Sequence, residues 1–168
     1  DLFYGIGDRT SHGLLEAAGV SIVPVGAKTS IPLAHAILSA IGVPAYALFD
    51  ADAGFEARAK AKNKKQEDID KERNNHATEN RKLLRYFGRP EEDFPNASVL
   101  NEVAIFEDHL ESLLSKEWPE WVAACKEIEA AAGISLAKNQ LAYRTATLKA
   151  AGAVPEMLQY ILAKAEGK

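Results

Sequence analysis

The stretch Val43-Pro44-Ala45-Tyr46-Ala47-Leu48-Phe49-Asp50-Ala51-Asp52 decides the fold. Its apolar run continues almost unbroken to Phe49, which suits a central parallel strand covered on both faces. It then ends on two carboxylates one residue apart. Upstream, Ala34, Ile37, Leu38 and Ile41 share one helical face, with Thr29 or Ser30 as the cap and Gly42 and Pro44 as the stop. Residues 20–25 are apolar and β-branched and read as a buried strand, and Gly26-Ala27-Lys28 as a loop. Residues 2–4 read as a first strand, Gly5-Ile6-Gly7 as a tight loop, and about 8–18 as a helix that Gly19 ends. The spacing is βαβαβ. It predicts an α/β fold with a mainly parallel sheet and right-handed crossovers, whose carboxyl edge is where such sheets place their sites.

Downstream, residues 55–82 are rich in Lys, Glu, Asp and Asn, with hardly a large apolar residue before Leu83. They read as a charged helical insertion, or as an arm that reaches substrate. Residues 99–106 predict a fourth strand, followed by Glu107-Asp108. Helices are expected over about 110–133 with a break near Pro119, then 139–151 and 155–165. The expected organisation is one domain spanning residues 1–168, with a helical portion from 110 to 168.

Composition narrows the function classes. The chain has 168 residues, 47 % of them apolar and 26 % charged, and a net charge of −4. That charge argues against a general electrostatic nucleic-acid binder, but a carboxylate site is acidic until its cations arrive. No apolar run approaches the roughly 20 residues of a membrane span, so no membrane association is expected. The first residues lack the pattern of a secretory signal. Cys125 is the single cysteine, which excludes an internal disulfide and a thiolate zinc site. A cytoplasmic location is the expectation.

Asp50 and Asp52 at a strand end can converge on one cation, and oxygen ligands favour Mg²⁺ or Mn²⁺. Asp8, following the first expected strand, lies at the same expected edge. Three carboxylates gathered there repel one another unless a cation binds. Asp8 also suits an N-cap. Gly5-Ile6-Gly7-Asp8-Arg9-Thr10 has Thr where a dinucleotide fingerprint needs Gly or Ala, and Gly26-Ala27-Lys28-Thr29 lacks the glycine spacing of a P-loop. Lys28 reads as a phosphate contact or a solvent-facing residue. The four histidines show no ligand spacing, and Trp118 and Trp121 fit an apolar helix face.

These motifs resemble the Toprim domain of topoisomerases, primases and OLD-family (overcoming lysogenization defect) nucleases. The resemblance to OLD proteins lies in Gly5-Ile6-Gly7-Asp8-Arg9, in Val23-Pro24-Val25-Gly26-Ala27-Lys28-Thr29-Ser30 and in Leu48-Phe49-Asp50-Ala51-Asp52. Glu79-Asn80-Arg81-Lys82-Leu83-Leu84 and Phe106-Glu107-Asp108-His109-Leu110-Glu111 fit the same family. The resemblance implies a Toprim fold, with a mainly parallel four-stranded sheet flanked by helices. It implies a two-metal, Mg²⁺- or Mn²⁺-dependent endonuclease acting on DNA, with ions about 3.5–4 Å apart clamping the scissile phosphate. Asp8, Asp50 and Asp52 would be metal ligands, with Glu107 or Glu111 as a further one. Asp8 and Lys138 would be catalytic, Lys126 and Lys149 being weaker matches for that lysine. Arg9 and Lys28 would meet nucleic-acid phosphate. An ABC-type ATPase domain would lie upstream, and a homo-oligomer is compatible.

The sequence departs from the family at Tyr4, where the motif has a Glu that serves as ligand and base. Two alternatives therefore stand beside the nuclease. One is a weak or inactive Toprim module that binds metal and nucleic acid or a partner. The other is a haloacid-dehalogenase-like phosphatase with Asp50 as nucleophile and Asp52 as acid/base, although that family carries its Asp pair on the first strand.

Overall fold

The computed structural model describes residues 1–133 and 140–167. Its chain falls into two compact units: Asp1–Ile22 with Glu111–Lys168, and Val23–Leu110.

The first unit is helical. It contains α1 (Leu2–Thr10), α2 (Leu14–Ala17), α6 (Leu110–Glu117, entered from the second unit), α7 (Pro119–Ala132), α8 (Gln140–Lys149) and α9 (Glu156–Ala165). The expected first strand is not formed: residues 2–4 belong to α1. Leu2, Gly5 and Ile6 are buried at the i, i+3, i+4 spacing of one helical face. The glycines read as a tight loop serve helix packing instead. A Cβ on Gly5 would stand 2.7 Å from Thr147 Cβ and 3.0 Å from the Arg144 carbonyl oxygen, so only a bare Cα lets α1 approach α8 so closely. Gly5→Ala is expected to lower stability by about 1–3 kcal/mol, although Ala alone gains about 1 kcal/mol of helix propensity. Thermal unfolding followed by circular dichroism checks this, and a stabilised variant would refute the close approach.

Trp118 and Trp121 are buried in this unit. Trp118 donates to the Ala151 carbonyl at 2.7 Å and Trp121 to Thr147 Oγ1 at 2.9 Å. Buried indoles with satisfied N–H groups are core residues. Burial pushes the Cys125 thiol up to about 11, with Glu129 adding to the shift, so it is a poor nucleophile.

The second unit carries the sheet. Its elements are a 3₁₀ turn at Lys28–Ser30, α3 (Ile31–Ala40), β1 (Ala47–Asp50), α4 (Phe55–Ala61), α5 (Gln66–Tyr86), β2 (Ser98–Val99) and β3 (Val103–Phe106). The strand order is β1-β3-β2. β1 and β3 are parallel, with Ala47 opposite Val103 and Asp50 opposite Phe106. β2 and β3 are antiparallel, with Ser98 opposite Ile105. The expected four-stranded, mainly parallel sheet is thus corrected to a mixed three-stranded one. Residues 20–25, expected as a strand, lie outside any strand, because β1 takes its ladder from β3 and none of the described strands pairs with them. The strand expected over 99–106 is a hairpin instead: the chain turns through Leu100–Glu102, closed by Leu100 N–H to the Val103 carbonyl at 2.9 Å.

Every residue of β3 is buried. Phe49, Val103 and Ile105 form the core with Ile31, Leu83, Leu84 and Phe87. Long α5 reaches that core only at its C-terminal end, where the sequence turns apolar. No helix among the described residues is long and apolar enough to cross a membrane.

Candidate functional site at the carboxyl edge of the parallel pair

The backbone pairing of β1 with β3 continues past the strand ends. Ala51 N–H donates to the Phe106 carbonyl at 2.7 Å, Asp52 N–H to that of Asp108 at 3.1 Å, and Ala53 N–H to that of Glu107 at 3.0 Å. The Asp50-Ala51-Asp52 turn is therefore bound to Glu107-Asp108. Asp52 takes a left-handed φ of 59°, a conformation that Asp tolerates better than most residues and that is held here against its intrinsic cost.

Asp52 is the centre of an ionic network. Its Oδ2 accepts from Lys28 Nζ at 2.6 Å, and its Oδ1 lies 3.7 Å from the Arg58 guanidinium. Arg58 also binds Asp108, whose Oδ1 accepts from Gly54 N–H at 3.2 Å. His76 Nδ1 stands 3.2 Å from Asp52 Oδ2. That nitrogen is buried and out of line for a hydrogen bond, so the contact is one of proximity. The His76 ring leans on Phe55, with centroids 4.8 Å apart.

Asn80 fixes the network from below. Its side chain is fully buried. It donates to the Ala51 and Asp93 carbonyls, both at 2.8 Å, and accepts from Lys28 Nζ at 3.1 Å. One side chain on α5 thus holds both the carboxylate turn and the lysine. A Cβ on Gly54 would sit 2.6 Å from Asp108 Oδ2, so a side chain there would displace the Asp108 carboxylate and the Arg58 guanidinium. Beside Asp52 opens a cleft of about 180 Å³, lined by Ala53, Phe55, Glu56, Arg73 and Phe94.

Of the residues expected at the site, Lys28 and Asp52 are in direct contact. Asp50 ends β1 beside them. Glu107 is exposed in the facing loop. Asp8 and Arg9 lie in the first unit. The Asp8 side chain, 1 % exposed, accepts from Arg144 Nε at 2.6 Å and from Gly13 N–H at 2.8 Å. The hydrogen bond from Arg144 holds its carboxyl below the ordinary range, against the opposing effect of burial. Arg9 donates to the carbonyls of Thr147, Ala150 and Gly152 and sits over the Trp118 ring, which closes the C-terminal end of α8. Glu111 opens α6. Tyr4 lies in α1, where its hydroxyl accepts from Ile22 N–H at 3.3 Å, and not at the end of a strand. Lys138 lies outside the described residues. Arg58, His76, Asn80 and Asp108 carry no signal in the sequence that marks them as site residues.

Carboxylates at a sheet edge have the donor chemistry for a hard divalent ion. The arrangement differs from a metal centre, however. Among the described residues no three His, Cys, Asp or Glu side chains gather as a possible metal cluster. Lys28 and Arg58 stand on Asp52 and Arg58 on Asp108, where a cation would be. As arranged, Asp52 and Asp108 are engaged by cationic side chains and do not stand open to an ion.

Residues 2–52 match the family model of the overcoming lysogenization defect protein-like TOPRIM domain. The resemblance seen in the sequence is thereby shown over residues 2–52, which hold the first three of its motifs and not those at 79–84 and 106–111. No curated protein and no solved structure matches the chain.

Proposed function

We propose that this chain is a nucleic-acid-cleaving Toprim module, an Mg²⁺- or Mn²⁺-dependent DNA endonuclease. The observation that carries the reading is the Lys28–Asp52–Arg58–Asp108 network at the carboxyl edge of β1 and β3, in a chain whose residues 2–52 match the OLD-like TOPRIM model. Lys28 and Arg58 bring two cationic side chains to one edge, and a phosphodiester entering there would be met by both in exchange for their carboxylate partners. Asp52 and Asn80 hold the Lys28 ammonium in place, and preorganised charge of this kind stabilises a phosphoryl transition state without reorganising.

The proposed ligands of the divalent ion are Asp50 and Asp52, with Glu107 as the further ligand the sequence suggests. Ion binding at Asp52 requires Lys28 and Arg58 to give up their hold on it. Lys138 is proposed as a further catalytic lysine, an ABC-type ATPase domain as the upstream partner, and the cytoplasm as the location. The competing reading is a weak or inactive module that binds nucleic acid. It is favoured by the engagement of Asp52 with Lys28 and Arg58 and by the absence of a carboxylate at position 4.

Supercoiled-plasmid nicking with Mn²⁺, alongside calorimetry with Mn²⁺, tests the proposal. Metal-dependent nicking is expected, falling by roughly 10²-fold or more in Asp50→Ala with Asp52→Ala and in Lys138→Ala, the size of losing one transition-state contact. Metal binding unchanged in the double variant would overturn the ligand assignment. DNA binding without any nicking would favour the competing reading.

A further inference from the structure

We infer that the connector between α4 and α5 is a nucleic-acid backbone-binding surface, and that Lys62 and Lys65 are its phosphate contacts. The inference rests on the proposed nuclease reading for the identity of the partner, and on charge and geometry for its location.

In a chain of net charge −4, the run Arg58-Ala59-Lys60-Ala61-Lys62-Asn63-Lys64-Lys65 places five cations in eight residues with no acid among them. Its lysines are all exposed. They are not equivalent. Lys60 is held by Glu56 at 2.6 Å, and Lys64 by Glu72 at 2.8 Å. Among the described residues no ion pair reaches Lys62 or Lys65. The acids that follow, Glu67 and Asp68, sit in the first turn of α5, where the positive end of the helix dipole favours them. Asp70 accepts from Gln66 at 2.8 Å.

The connector is shaped as well as charged. Asn63 has a left-handed φ of 54°, and its N–H donates to the Lys60 carbonyl at 2.9 Å while Lys64 N–H donates to that of Ala59 at 3.2 Å. This is a closed helix C-terminus of the left-handed kind, with Asn tolerating the strain. It holds the lysines that flank it on a fixed turn. Lys62, the C-cap of α4, follows Arg58 by four residues and so sits one turn further along the same face, and Arg58 binds Asp108 at the carboxylate edge. A line of positive charge therefore leads from that edge onto the connector, as a polyanion tracking away from a cleavage point requires.

An anionic membrane is the other polyanion to weigh. A membrane-surface helix presents large apolar side chains opposite its basic face. Here the run offers only alanines, of which Ala59 is buried, and Phe55 is engaged with His76. The observations favour nucleic acid.

The test is the salt dependence of binding to a fluorescein-labelled DNA duplex, measured by anisotropy in EDTA so that cleavage plays no part. Each phosphate contact contributes about 0.9 to the slope of log K against log salt. Lys62→Ala with Lys65→Ala is expected to reduce that slope by about 2, with an unchanged melting temperature because both side chains are exposed. Lys60→Ala with Lys64→Ala is expected to change it much less. An unchanged slope in the first pair, or equal losses in both, would overturn the assignment. So would binding to phosphatidylserine vesicles that the first pair abolishes while DNA binding persists. Loss of nicking with the slope difference intact would sink the nuclease reading and leave this surface standing. Nicking with an unchanged slope would do the reverse.

Discussion

Asn80→Ala is expected to lower the stability of the protein by about 3 kcal/mol and to unfasten the candidate site in the same stroke. The side chain is fully buried and makes three hydrogen bonds, two of them to backbone carbonyls. Ala51, whose carbonyl is one of the acceptors, is itself fully buried, so water cannot readily replace the lost donor. A buried group left without its partner costs about 1–3 kcal/mol, and the volume vacated adds to this. For a chain of this length the sum corresponds to a fall of about 10 °C in melting temperature. Asn80→Asp separates the two roles, since it keeps an acceptor for Lys28 while losing the donors to Ala51 and Asp93. It is expected to be destabilised yet to hold Lys28. If Asn80→Ala melts as the natural sequence does, the amide is not the fastener it looks to be.

How far the site was readable beforehand depended on whether its residues are local or assembled. Lys28 and Asp52 were legible because both lie in short motifs at fixed positions relative to elements, and the strand feeding Asp50 announced itself by a continuous apolar run. Arg58 and His76 were not. Each reaches Asp52 only through the placement of α4 and α5 against the sheet edge, and in a stretch crowded with charges one Arg or His looks like another. Between Glu107 and Glu111 the sequence offers no basis for choice, and Asp108, which it does not mark as a site residue, is the one that the loop after β3 turns onto Arg58 and Gly54 N–H. The first element departs from the expected strand for a different reason. Three apolar residues before Gly-x-Gly satisfy the strand and helix patterns equally. What decides between them is Thr147, 142 positions after Gly5, against which the helix packs. A comparable separation, 136 positions, hides Arg144 as the partner of Asp8.

Asp8→Ala is expected to cost about 3 kcal/mol, and its pH dependence identifies the cause. The carboxylate is 1 % exposed, and the Arg144 side chain is 31 % exposed. Removing one member of a buried pair typically costs 3–5 kcal/mol. The lower end applies here, because Arg144 keeps Glu16 at 2.9 Å as a second partner. The lost acceptor for Gly13 N–H adds to the total. The folded-state pKa of Asp8 lies below its ordinary value of 3.8, chiefly through the hydrogen bond from Arg144. Its contribution is therefore fully present above about pH 4 and fades as pH falls through the depressed value. The stability gap between the natural sequence and Asp8→Asn should be constant from neutral pH to about 5, then close on further acidification. Arg144→Ala is expected to be the more damaging single change, since it strands a buried carboxylate without its cation, whereas Asp8→Ala leaves a half-exposed guanidinium that Glu16 and water can satisfy. In the double variant the two losses should not add, and the shortfall measures the pair directly. A metal-ligand role for Asp8 makes a different forecast: Asp8→Ala would then lose Mn²⁺ affinity with little change in melting temperature, and Arg144→Ala would change neither in the same proportion. Urea unfolding of these four variants at pH 7 and at pH 3.5, read beside Mn²⁺ calorimetry, separates a residue that clamps α1 to α8 from one that waits for an ion.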